Sequence, residues 1–117
     1  MRNKSIFILG IICAILLVGC AYFCINRYAK IEEFQSGEWL YLLNKKEKTA
    51  SIEKYNGLEE NLNISEVVFK DDIEYKIIRI ENCAFQENKN IRSIVIPNTV
   101  IEIKDSAFYG CENLNKV

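Results

Sequence analysis

Hydrophobic positions follow two regimes along the 117-residue chain. From Ile6 to Ile25 they are continuous: IFILGIICAILLVGCAYFCI is 20 residues without a charge. A helix of that length spans about 30 Å, the thickness of a bilayer's hydrocarbon core, so the pattern predicts a membrane-crossing helix. Further along, the apolar residues are spaced. Trp39, Tyr41 and Leu43, then Ala50 and Ile52, recur with period 2 on either side of Asn44–Lys48. That pattern predicts two strands and a turn. A second hairpin is expected over Glu66–Phe69, a turn at Lys70-Asp71-Asp72, and Glu74–Ile80. Asn26–Ser36 lies between the two regimes, and its charges predict a stalk-like linker.

An offset of 23 residues aligns the last forty residues with themselves. Ile77 then meets Val100, Ile78 meets Ile101, Ile80 meets Ile103, Ala84 meets Ala107 and Phe85 meets Phe108. Ile91 meets Leu114 and Ile94 meets Val117. Apolar positions match while most polar ones drift. A solenoid requires this, because each coil places its interior side chains over those of the coil before, and the surface is free to vary. Within one coil, Ile91, Ile94 and Ile96 are expected to point inward and Arg92, Ser93 and Val95 outward. Pro97 should end the strand, since it has no amide to donate. Val100 and Ile103 should make a second inward contact, Ala107 should leave room for a turn, and Phe108 should fill the space between coils.

Residues Ile91–Ile103, followed by Ser106-Ala107-Phe108-Tyr109-Gly110-Cys111-Glu112-Asn113-Leu114, resemble the BspA-type leucine-rich repeat almost position by position. Ile77–Phe85 resembles a second, partial copy, with Asn88 in place of the repeat's cysteine. Gly37–Gly57 is similar to the hairpin that often opens such arrays. The resemblance covers residues 37–117. It implies a small, mainly-β leucine-rich-repeat solenoid with an amino-terminal β-hairpin, preceded here by the apolar helix of residues 1–25 and the linker of 26–36. It also implies a binding or adhesion module, and it makes Cys111 a small buried residue at the family's cysteine position.

Charge separates the leader from the rest. Residues 1–30 carry Arg2, Lys4, Arg27 and Lys30 and no acid, whereas residues 31–117 carry 11 bases and 16 acids. A mildly acidic domain has no basic stripe to displace counterions from phosphates, so nucleic acid is not an expected partner. The leader fits two readings. Tyr22 and Phe23 near its outer end, with Arg27 and Lys30 beyond, suit a retained single-pass anchor. Alternatively, Leu17-Val18-Gly19-Cys20 resembles the lipobox of bacterial lipoproteins, which would make Cys20 the lipidated residue after cleavage. Against the second reading, Ala21–Ile25 stays apolar after the cysteine. Both readings tether the chain to a membrane, and the fit to a secretory signal places the repeat region on the extracytoplasmic side. Gly10, Cys13, Leu17, Cys20 and Cys24 recur at steps of 3 and 4. That stripe of mostly small residues offers a face for self-association of the anchor.

The chain contains no histidine. This removes imidazole bases, Ser-His and Cys-His pairs and His-containing zinc sites. Cys83 and Cys111 fall at different phases of the repeat, which argues against a disulfide between them. Asp71-Asp72 reads as a solvated turn and Lys45-Lys46-Glu47-Lys48 as a polar hairpin tip. Asn63-Ile64-Ser65 fits a glycosylation acceptor only in a eukaryotic secretory route. No enzyme activity, metal or cofactor is expected. The binding candidates are the outward strand positions Arg92, Ser93, Val95 and Lys116, which stacked coils would gather onto one face. Val117 falls inside a strand, so the expectation is a fragment of a longer repeat protein, or an open end that pairs with another chain. The function expected is thus a membrane-tethered extracytoplasmic binding or adhesion module for a protein or other surface ligand. The alternative is a non-adhesive small membrane protein whose anchor helix mediates assembly.

Overall fold

The structure, a computed structural model, describes residues 30–117. The expected anchor and the lipidation candidate Cys20 lie outside the described residues. Eight strands follow one another: β1 Ile31–Ser36, β2 Trp39–Asn44, β3 Thr49–Tyr55, β4 Asn61–Asn63, β5 Val67–Lys70, β6 Ile73–Ile80, β7 Ser93–Val95 and β8 Glu102–Ile103. Among the described residues none is helical, and no helix is long and apolar enough to cross a membrane.

The opening hairpin forms where the period-2 pattern predicts it, with Leu43 opposite Ala50 and Tyr41 opposite Ile52. Its turn is held by Asn44, whose side-chain oxygen accepts from the amides of Lys46 (3.1 Å) and Glu47 (3.0 Å). Short polar side chains favour turns through such local bonds. A bulge between Leu40 and Tyr41 leaves Glu53 of β3 without an opposite residue. The second hairpin, β5 and β6, closes on Asp71 and Asp72, at φ 51° and 63°. Two left-handed residues give the turn twist that matches antiparallel strands, and aspartate tolerates it.

The linker expectation for 26–36 is corrected within its described part. Ile31–Ser36 is strand β1, paired antiparallel with β2 from Ile31 opposite Asn44 to Ser36 opposite Trp39. Only Phe34 of this strand packs on the core. The other side chains are mostly polar, so hydropathy gave no strand signal and pairing with β2 decides the conformation. The sheet order β1-β2-β3-β6-β5 places β1 and β5 at opposite edges, yet the sheet curls enough to bring them together. Lys70 of β5 pairs with Glu32 of β1, and its ammonium lies 5.7 Å from the Phe34 ring centre. Lys45 completes the tie at 2.7 Å from Glu32. Hydrogen bonds from Lys45 and Lys70 hold the Glu32 carboxyl down to about 2.

Coils begin where strands pair in parallel. In one stack β3 pairs with β6 and β6 with β8, placing Ile80 between Ile52 and Ile103. In the other, β4 pairs with β7, and Ser93 bridges on to Lys116. The 23-residue offset is therefore the coil repeat. Ile101 N donates to Ile78 O (2.9 Å), Phe85 N to Ala107 O (2.8 Å), and Asn115 N to Arg92 O (3.0 Å). Phe85 and Phe108 point to the same interior and stack, their ring centres 5.1 Å apart and their planes within 7°. Phe85 extends this pile to Tyr55 at 5.8 Å, and Tyr55 meets Trp39 at 4.4 Å. The core around this pile includes Leu43, Ile52, Ile77, Ile80, Ile91 and Ile94, all essentially inaccessible to solvent, with Leu62, Ile64 and Tyr75 nearly so.

Four inward or buried assignments need adjustment. Ile103 is 48% exposed, because among the described residues no strand lies beyond β8. Val100 and Ile96 are half-buried rather than buried, though both pack against the core. Cys111 is half-buried as well, and its thiol donates to Phe85 O at 2.9 Å.

Backbone strain also repeats every 23 residues. Cys83 and Ser106 share a left-handed φ of 60° and 58°, and Glu87 and Gly110 share one of 61° and 75°. Glycine adopts this region freely, while a residue with a Cβ is penalised by roughly 1–2 kcal/mol. At Gly110 the backbone conformation alone sets the cost, because a Cβ there would approach only the carboxyl end of exposed Glu87, which can swing aside. Glu87→Gly is therefore expected to raise stability by about 1 kcal/mol and Gly110→Ala to lower it by at least that much. Thermal unfolding of the two variants beside the parent checks both signs.

Candidate functional site

The parallel stack of β4, β7 and the Lys116 bridge builds the surface that holds the binding candidates. Ile94 points inward and is buried. Alternation along β7 then turns Ser93 and Val95 outward, and Val95 remains 59% exposed despite its apolar side chain. Ser93 sits opposite Asn61 on one side and Lys116 on the other. Its hydroxyl donates to Asn61 Oδ1 at 2.7 Å. Val95 sits opposite Asn63. Arg92 just precedes β7 and is exposed, with its guanidinium 3.6 Å from the Glu60 carboxylate. The fold thus brings Ser93, Val95 and Lys116 into adjacent rows of one ladder, with Arg92 at its margin.

Three members of this surface escaped the sequence reading: Glu60, Asn61 and Asn63. The reason is spacing. Leu62 is the counterpart of Ile94, but they stand 32 positions apart, because the first coil also accommodates the β5–β6 hairpin. A comparison at a fixed 23 cannot find it. The available signal was the alternation of buried Leu62 and Ile64 with exposed Asn61, Asn63 and Ser65.

The surface has the chemistry of recognition: an amide row, a hydroxyl, an exposed valine and a lysine. Ionisable groups on the other stack are engaged structurally. Burial pushes the Glu81 carboxyl up, but hydrogen bonds from Lys104 (2.8 Å) and Ser51 and the nearby Arg79 outweigh this and hold it below the usual carboxylate range. Glu53 in the bulge differs. Burial, then the charges of Glu33 and Glu81, push its carboxyl up, and its Oε2 is buried without a hydrogen-bond partner. A carboxyl raised in the folded state destabilises as pH rises through its folded value, and has no such effect below the unfolded one. Glu53→Gln is expected to stabilise the protein at pH 7 by on the order of 1 kcal/mol, the advantage vanishing below about pH 4. Unfolding midpoints at pH 7 and pH 3.5 measure this.

Neither described cysteine is in a disulfide. Burial pushes the Cys111 thiol up, in keeping with its role as donor to Phe85 O. Among the described residues no group of three or more His, Cys, Asp or Glu side chains is placed to hold a metal ion.

Stacked parallel strands, a turn repeated every coil and an exposed ladder over an aliphatic interior define a solenoid repeat protein. The BspA type leucine rich repeat region matches residues 50–117, and the chain belongs to that family. Three solved structures share its fold. A leucine rich cell surface protein from Faecalibacterium prausnitzii is 33% identical, with a TM-score of 0.65 over 71% of this chain. A leucine-rich repeat protein from Bacteroides ovatus is 32% identical, with a TM-score of 0.63 over 71%. One from Bacteroides capillosus is 27% identical, with a TM-score of 0.66 over 73%. The matches span 22% of each of the first two proteins and 63% of the third. No curated protein matches the chain.

Proposed function

We propose that the chain is a membrane-tethered, extracytoplasmic binding module that engages a protein or other surface ligand through Arg92, Ser93, Val95 and Lys116, joined by Asn61 and Asn63. The observation that carries this reading is the row Asn61, Ser93, Lys116, in which consecutive coils contribute adjacent positions to one outward surface. Strand faces gathered in this way are what solenoids offer to partners. The cell-surface description of the Faecalibacterium relative supports the compartment. The uncharged run from Ile6 to Ile25 supports the tether. A binding role rather than a catalytic one is supported by the chain's lack of imidazole and by the engagement of the Cys111 thiol with the Phe85 carbonyl.

The test uses the full-length chain in detergent micelles as bait for bacterial surface extracts, beside an Arg92→Glu/Val95→Asp variant. Capture of a component that the variant loses, at an unchanged unfolding midpoint, supports the reading. Equal capture by both forms would refute it. Cell fractionation tests the tether, which a soluble chain would contradict. Metabolic labelling with a palmitate analogue, abolished in Cys20→Ala, would assign the tether to lipid rather than to a retained helix.

A further inference from the structure

We propose that the cleft between residues 56–58 and residues 86–90 binds a single neutral sugar ring. This goes beyond the strand face described above and does not depend on it, because it uses side chains where the opening hairpin meets the first coil.

The cleft measures about 240 Å³ and opens to solvent. Asn88 bolts its two walls together. The Asn88 side-chain nitrogen donates to Gly57 O (3.1 Å), and its oxygen accepts from the amides of Asn90 (3.0 Å) and Ile91 (3.3 Å). The opening is thus formed before a ligand arrives, which lowers the ordering cost of binding. It also lies where the chain departs from its own repeat. One coil later the same two positions hold Gly110, at φ 75°, and Cys111, whose thiol bonds Phe85 O. Here they hold Glu87, strained at φ 61°, and Asn88. Strained and irregular positions concentrate at functional sites.

The chemistry of the lining selects the ligand. Asn56, Gln86 and Asn90 bring carboxamides to the cleft. Asn56 and Asn90 are exposed and Gln86 is half-buried, so all three can meet a ligand. A carboxamide is both donor and acceptor, and so is each hydroxyl of a sugar. Lys54 adds a further donor, its ammonium 3.4 Å from Cys83 O. One lysine beside Glu87, with Glu59 and Glu60 following Leu58 in the chain, gives no net positive field to gather an anion. Leu58, 74% exposed, offers an apolar rest for the C–H face of a ring. The volume is below the roughly 300–1,000 Å³ of sites for drug-sized ligands, which suits one ring rather than a chain.

The probes are the methyl glycosides of glucose, galactose and mannose, with diglycine and inorganic phosphate beside them. Each is titrated against the isotope-labelled full-length protein in a detergent without a sugar headgroup, and backbone amides are followed by NMR. The expected result is saturable shifts at Gly57, Leu58, Asn88 and Asn90 with at least one glycoside. Affinity should fall about tenfold in Asn56→Ala/Asn90→Ala, the loss of two hydrogen bonds to the ligand. The unfolding midpoint should not change, because the main-chain bonds of Asn56 N to Glu38 O and Asn90 N to Asn88 Oδ1 remain. Should the double variant fail to fold, Gln86→Ala reads the same loss. No saturable shift with any glycoside, equal affinity in the variants, or tighter binding of diglycine or phosphate would each overturn the proposal. Arg92→Glu/Val95→Asp leaves the cleft side chains intact and should bind the glycoside as the parent does, so failure here and failure of the face reading are distinguishable.

Discussion

Phe85→Ala is expected to cost about 3–5 kcal/mol, enough to leave little of the repeat region folded at 37 °C. Phe85 has no solvent exposure and joins the opening hairpin to the coils. It lies 6.0 Å from the Trp39 ring, 5.8 Å from Tyr55 and 5.1 Å from Phe108. Truncation leaves a void that none of these rigid rings can fill, so the cavity cost adds to the lost transfer energy. Phe108 holds the same position one coil later but is only partly buried. Phe108→Ala should accordingly cost roughly half as much. Thermal unfolding followed by the fluorescence of Trp39, the chain's single tryptophan, separates the two. Equal losses would mean that the coils do not differ in coverage as described.

The second large effect contrasts neighbours on β7. Ile94→Asp would place an unpaired carboxylate at a site 1% exposed, at a cost of more than about 4 kcal/mol. Val95→Asp, one residue along and facing outward, should change stability by less than about 0.5 kcal/mol. The pair checks the strand alternation on which the candidate surface rests. If both variants unfold at the same temperature, Val95 is not on an outer face and the assignment of Ser93 and Lys116 fails with it.

The sequence revealed the repeat because stacking constrains it so tightly. Ile80 must sit beneath Ile103 and Phe85 beside Phe108, so the same residue types return after 23 positions and a self-comparison detects them. The hairpins were equally legible, because their turns carry local chemistry in Asn44 and Asp71-Asp72. Two features were not. β1 contributes only Phe34 to the core, and a strand with one inward residue in six looks like a charged linker until its partner is known. β4 was hidden by the longer first coil, which hid Glu60, Asn61 and Asn63 of the candidate surface along with it. The strain at Glu87 was unreadable from composition, since only its alignment with Gly110 shows that a glycine conformation is required there. The outward placement of Ser93 and Lys116 was readable because the two stand one 23-residue repeat apart in successive coils.

The central claim is that successive coils lie directly on one another at this spacing, and NMR tests it most directly. In the full-length protein, nuclear Overhauser contacts between the ring protons of Phe85 and Phe108 should be strong, as their 5.1 Å stacking requires. A spectrum in which both rings are assigned and well ordered but share no such contact would contradict the account.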